Sequence, residues 1–273
     1  MRHRRPTVAD LLSMKGQRQL TMLRVVTLEE AEAAERAGID LVSVPPALLG
    51  PEFREAAPSV FAFPGLEYGD HVTADDYIRA AFKALKAGGD AVYCAASLSV
   101  IRRMRDEGIP VCGHVGLVPS KATWTGGFRA VGKTAQSALE VWRQVSALEE
   151  AGAFAAEIEV VPAAVATAIS KRTSLLMLSM GAGAGCDAQY LFAEDVLGQN
   201  RAHYPRHAKV YRNFAGEYER LQQERIAAFR EYAEDVRSGA YPEKAHMVDI
   251  EPRELEEFLG KLDVQEGTSA RAR

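Results

Sequence analysis

Short apolar runs recur along the chain, and the stretches between them carry apolar residues every three or four positions. The first pattern is that of a strand, the second that of one face of a helix. Four hinges, AGID at Ala37–Asp40, AGGD at Ala87–Asp90, EGIP at Glu107–Pro110 and AGAF at Ala151–Phe154, each close a helical stretch and open an apolar one. A glycine just past a helix takes the left-handed conformation that ends it, and the chain is released into a strand. The spacing predicts strands at Leu20–Val25, Leu41–Val44, Ser59–Phe63, Ala91–Cys94, Pro110–Val115, Ala155–Val160, Leu175–Ser179 and Gln189–Phe192. Helices are predicted at Leu28–Ala37, Ala74–Lys86, Leu98–Glu107, Thr134–Glu150 and Ala163–Ser170.

Strands that alternate with helices build a parallel sheet, because parallel neighbours need a crossover. An open doubly wound sheet would place a GxGxxG turn after its first strand, whereas the glycine clusters here lie late in the chain. The predicted fold is therefore α/β, a (β/α)8 TIM barrel with a C-terminal helical extension. Residues 1–10 read as a flexible N-terminus, 11–200 as the barrel, 201–262 as a helical extension packed on the barrel or a neighbouring subunit, and 263–273 as a disordered tail. Tyr218, Leu221, Phe229, Tyr232 and Val236 mark the extension's long helix.

Composition narrows the partners. The 273 residues suit one barrel, and a formal net charge of -4 with 26% charged residues gives no sign of a nucleic-acid partner. No run of about eighteen apolar residues occurs, and the basic start at Arg2–Arg5 leads into no apolar segment, so neither a membrane span nor a signal peptide is expected. Cys94, Cys112 and Cys186 are too few and too scattered for a disulfide framework. They are expected to be free thiols in a cytoplasmic protein.

In a barrel, chemistry gathers at the C-terminal ends of the strands. The sixth strand carries Glu157 and Glu159 on one face, with Glu159 at the mouth and Glu157 deeper in the interior. A buried carboxylate must be paired, hydrogen-bonded or protonated, and a neighbouring like charge raises its pKa toward that of a useful base. Arg24, at the end of the first strand, is read as a cation for a substrate carboxylate, or else as a structural partner of Glu157. His114 on the fifth strand is read as a hydrogen-bond donor to a substrate oxygen, or else as a satisfied interior histidine. Glu67, Asp70 and His71 form an oxygen and nitrogen cluster in the third loop. The glycine-rich Met180–Cys186 stretch, with Gly183 at its centre, is either an anion cradle or a tight turn. The later basic segment carries Arg201, His203, Arg206, His207, Lys209 and Arg212.

Several motifs in order then resemble one family. They are VCGHVGLVPS at Val111–Ser120, GGFRAVG at Gly126–Gly132, EVVP at Glu159–Pro162, MGAGAGCDAQYLFAEDVLG at Met180–Gly198, HAKVYRNF at His207–Phe214 and VRSGAYPEKAH at Val236–His246. Across roughly residues 10–250 the chain resembles ketopantoate hydroxymethyltransferase, a barrel enzyme of the phosphoenolpyruvate mutase and isocitrate lyase superfamily. The resemblance implies transfer of a one-carbon unit from methylenetetrahydrofolate to a branched 2-oxo acid held by Mg²⁺, with a glutamate base that falls on Glu159. It also implies a homo-oligomer acting on a small carboxylate. Within its motifs, Ser120 and Gly183 are taken as substrate contacts, and Tyr93, which lies outside them, is taken as another.

The departures are equally specific. The family's first metal-binding aspartate and the serine after it fall on Pro46 and Ala47, the second aspartate on Gly65 or, with a shifted register, Phe63, and the lysine and glutamate of its KIE strand end on Tyr93 and Ala95. No residue is assigned as a metal ligand. The expected function is an aldol-type reaction on a small 2-oxo acid with Glu159 as base and Glu157 and His114 beside it. The alternatives are a superfamily lyase or hydrolase acting on another carboxylate, and a catalytically silent barrel kept for binding or assembly.

Overall fold

The computed structural model describes residues 4–201 and 203–269. It divides into two compact units, residues 1–215 and 216–273. The first is a closed barrel of parallel strands in sequential order: β1 (Leu20–Arg24), β2 (Leu41–Val44), β3 (Phe61–Leu66), β4 (Val92–Cys94), β5 (Val111–Gly116), β6 (Ala155–Glu159), β7 (Leu176–Met180) and β8 (Ala188–Phe192). The helices are α1 (Val8–Ser13), α2 (Leu28–Ala37), α3 (Pro51–Ala56), α4 (Ala74–Lys86), α5 (Leu98–Asp106), α6 (Ala122–Thr125), α7 (Ala135–Glu150), α8 (Ala163–Ser170) and α9 (Ala193–Leu197). In the second unit lie α11 (Pro252–Ser269) and nearly all of α10 (Phe214–Ser238).

Alternation along each strand sorts the side chains. Leu20, Met22, Leu41, Phe61, Phe63, Cys112, Leu176, Leu178 and Tyr190 fill the barrel interior, while Val92, Cys94, Val111, Val115, Ala156, Ile158 and Met177 pack outward with the helices. Phe61, Phe63 and Phe154 form an aromatic floor, with Phe63 stacked on Phe154 at 5.9 Å between ring centres. Leu11 of α1 joins the same cluster at 1% exposure. The barrel is thus packed below and left with polar side chains above.

Most predicted elements fall where expected, with four differences. The third strand lies further along, Phe61–Leu66 rather than Ser59–Phe63, and it runs through Pro64 and Gly65. Pro64 stands opposite Val44, the last residue of β2, so its missing N–H falls where that ladder ends. A capping box between Thr7 and Asp10 starts α1 inside the stretch expected to be flexible, and α11 reaches into the stretch expected to be a disordered tail. Residues 270–273 lie outside the described residues. The short helices α3, α6 and α9 were not anticipated; a single turn carries too little periodicity to register.

In the second unit, α10 presents Tyr218, Leu221, Phe229 and Tyr232, all exposed, and Tyr232 meets Tyr241 edge-on at 5.6 Å. Among the described residues no helix is long and apolar enough to cross a membrane. The three cysteines are free and buried.

Candidate active site

Glu157 and Glu159 project inward because β6 pairs in register with β5, which sets Glu157 beside His114 and Glu159 beside Gly116. Gly116 has φ +84, and a Cβ there would lie 2.5 Å from the Glu159 carbonyl oxygen and 2.8 Å from Val161 Cγ2. Only glycine lets the two strand ends approach this closely. Val160, directly after Glu159, has φ 49, a conformation that strains a β-branched side chain. Its N–H donates to Met180 O and its carbonyl accepts from Val131 N, so the strain is held from both sides.

The interior side chains form one network. His114 Nε2 lies 3.0 Å from Glu159 Oε2 and 4.0 Å from Glu157 Oε1, and its Nδ1 lies 2.5 Å from Tyr93 Oη. The Tyr93 hydroxyl also faces Glu157, and each raises or lowers the other's pKa. With the imidazole protonated, both ring nitrogens donate, Nε2 to Glu159 and Nδ1 to Tyr93 Oη, and the phenol proton is left for Glu157. Burial pushes the Glu157 carboxyl up and the Glu159 charge adds to this, while His114 opposes it. Burial alone would lower His114, but the two glutamates outweigh it and raise its pKa. Both groups therefore hold a proton more readily than they would in water.

The surrounding cavity is about 340 Å³. Arg24, Ser43, Gly65, Glu67, Tyr93, Ala95, His114, Ser120, Glu157, Glu159, Tyr190, Phe192, Asp195 and His207 contribute to its walls. Ser120 Oγ is buried and has no hydrogen-bond partner among the described residues, which leaves a hydroxyl for a ligand oxygen. Arg24 lies over the Phe192 ring at 5.7 Å, and its Nη2 is 3.8 Å from Glu67, too far for a hydrogen bond.

Six of the seven residues given a catalytic or substrate-contact role in the sequence therefore meet in one cavity: Arg24, Tyr93, His114, Ser120, Glu157 and Glu159. Gly183 does not line it. Its carbonyl accepts from Ser179 Oγ and Gln189 Nε2, and a Cβ would strike Ala163 Cβ at 2.4 Å, the features of a tight turn. Arg24 makes no ion pair with Glu157; its charge reaches that carboxylate only through space, and the His114 imidazole, 4.0 Å away, faces it instead. Of the third-loop cluster Glu67 lines the cavity, whereas His71 packs edge-on against Tyr77. Of the basic segment His207 reaches the cavity.

Ser43, Tyr190, Phe192 and Asp195 were not singled out. The barrel register sets Ser43 and Phe192 beside Arg24, with Tyr190 two residues back on the same face of β8, whereas Asp195, which burial pushes up, sits on an unanticipated turn of helix.

A barrel with an apolar lower half and a mouth furnished with carboxylates, an imidazole and a guanidinium has the arrangement of (β/α)8 enzymes. The model of the ketopantoate hydroxymethyltransferase family matches residues 54–244, and the chain belongs to that family. The 3-methyl-2-oxobutanoate hydroxymethyltransferase of Thermus thermophilus is 35% identical over 266 residues, covering 89% of this chain and 99% of its own. That of Kosmotoga olearia is 31% identical over 259 residues, covering 86% and 94%. Among solved structures, a phosphonopyruvate hydrolase in complex with oxalate and Mg²⁺ aligns with a TM-score of 0.50 at 15% identity, over 98% of this chain and all of that one. That likeness speaks for the fold.

Proposed function

We propose that this chain removes a proton next to the carbonyl of a small 2-oxo acid and forms or breaks a carbon–carbon bond there, with Glu159 as the general base. The observation that carries the reading is Glu159 itself, at the mouth of a family barrel, 12% exposed and hydrogen-bonded by His114 at one oxygen. Its other oxygen is left for the substrate. The His114 imidazole holds the carboxylate in place, and Tyr93 with Glu157 holds the imidazole. Arg24 supplies a cation for the substrate carboxylate, and Ser120 Oγ a donor for a substrate oxygen.

The Mg²⁺ ion implied by the resemblance does not fit this donor set as the resemblance would hold it. Mg²⁺ demands a near-octahedral shell of oxygens, and Pro46, Gly65 and Ala95 offer no side-chain oxygen. A cavity of about 340 Å³ suits a small oxo acid, and among the described residues no wall feature is specific to methylenetetrahydrofolate. We expect a homo-oligomer, in keeping with the apolar side chains that α10 leaves exposed.

The test is exchange of the C3 proton of 2-oxoisovalerate (3-methyl-2-oxobutanoate) with deuterated solvent, followed by NMR. Glu159→Gln should slow it by about 10²–10⁴-fold. Equal exchange in the variant removes Glu159 from the role, and no exchange of any small oxo acid by the wild-type protein favours a silent barrel.

A further inference from the structure

We propose that His114 Nε2 and the carboxylates of Glu157 and Glu159 form a binding site for one divalent ion of the zinc class, away from the positions where the resemblance would place Mg²⁺. The three donor atoms lie within 4.8 Å of one another. Two ligands that each stand about 2.0–2.2 Å from a shared ion are separated by about 3–4 Å. His114 Nε2 already stands 3.0 Å from Glu159 Oε2 and 4.0 Å from Glu157 Oε1. Little movement is needed to admit an ion between them.

Three further features support the site. His114 Nδ1 is engaged by Tyr93 Oη, so the ring is fixed with Nε2 toward the carboxylates, and an outer partner of this kind orients metal-binding histidines. The ligands stand on adjacent paired strands, with His114 beside Glu157, so the backbone rather than a loop sets their spacing. The side chains of His114 and Glu157 are only 5% and 4% exposed, and the cavity above leaves room for water or a ligand oxygen to complete the shell.

The donor set selects the ion. One imidazole with two carboxylates suits Zn²⁺ and its first-row neighbours, whereas Mg²⁺ prefers oxygen alone and gives up its waters reluctantly. Two carboxylates balance the charge of a dication in a site where an unbalanced charge would be costly.

A consequence follows that rests on Glu159 being the base. A metal ligand must give up its proton, and a carboxylate bound to an ion is no longer free to accept one from carbon. The same three side chains hold either protons or the ion, and the ion silences proton removal. The site is thus a point at which zinc-class ions inhibit this protein.

The experiment uses the full chain after chelator treatment, titrated calorimetrically with Zn²⁺ and separately with Mg²⁺, alongside His114→Gln and the near-isosteric Glu157→Gln. The expected result is one Zn²⁺ per chain, bound at least about 100-fold more tightly than Mg²⁺, with each variant losing at least about tenfold in affinity while melting as the wild type does. Deuterium exchange into 2-oxoisovalerate should stop once one Zn²⁺ is bound and return on adding chelator. Wild-type affinity in both variants, or equal affinity for Mg²⁺, overturns the site. Exchange that needs Zn²⁺ overturns the inhibition. If Zn²⁺ binds as described but the chelated protein exchanges no oxo acid, the metal site stands and the assignment of Glu159 as base falls.

Discussion

Replacing Tyr93 by Phe deletes one oxygen from the centre of the network and leaves the ring, so its effect reports on the hydrogen bonds. Tyr93 Oη lies 2.5 Å from His114 Nδ1 and faces Glu157. A hydrogen bond to a charged partner contributes about 1.5–3 kcal/mol. If the imidazole must be held in place for Glu159 to work, that amount appears in the barrier, and at about 1.4 kcal/mol per tenfold it slows proton removal by about 10- to 150-fold. The assay is the initial rate of deuterium exchange into 2-oxoisovalerate across a range of concentrations. The loss should fall on the limiting rate and leave the half-saturating concentration nearly unchanged, because Arg24 and Ser120, not Tyr93, are assigned to hold the substrate. A limiting rate within about twofold of wild type, far below the expected loss, would refute the relay. A loss confined to the half-saturating concentration would instead make Tyr93 a substrate contact.

Two other substitutions test the frame around the site. Gly116→Ala forces a Cβ against the Glu159 carbonyl oxygen in a residue with φ +84; it should cost stability by about 1–3 kcal/mol and slow exchange by displacing Glu159, read by urea unfolding and the exchange assay together. Asp40 accepts from Arg18 at 2.6 and 3.2 Å and from the Thr21 N–H and hydroxyl at 2.8 and 3.0 Å, at the foot of β1. Burial would raise its pKa, but Arg18 and Thr21 outweigh this and lower it. The stabilisation is therefore complete above the ordinary value of 3.8 and is lost as pH falls through the lowered one. Asp40→Asn should cost about 2–3 kcal/mol at neutral pH, with the gap to wild type closing in acid below 3.8. A gap that does not change with pH would remove the charge from the explanation.

The fold was legible because helix caps and strand alternation are local. The glycine hinges place the barrel's helices correctly, and Ala74–Lys86 is recovered to the residue because the Thr73–Asp76 capping box opens it and its apolar face runs unbroken. The third strand was misplaced because Pro64 and Gly65 read as a stop, although a closed barrel tolerates both at a strand's end. In the site, Glu159, Glu157, His114 and Arg24 could be named from alternation and position alone. Their partners could not, since which side chains meet across the barrel depends on its stagger, a property of the closed sheet. So one of the two readings of Arg24 paired it with Glu157, whereas the strand register sets His114 beside that carboxylate. Val160 carries no sequence signal at all, since nothing local favours a β-branched residue at positive φ.

As proposed, Glu159 removes the proton without the Mg²⁺ that the resemblance implies. The direct measurement is the exchange rate of 2-oxoisovalerate in deuterated solvent with the chelated wild-type protein, repeated in saturating Mg²⁺. The same rate is expected in both, and its loss in Glu159→Gln. Exchange that appears only when Mg²⁺ is added would contradict it.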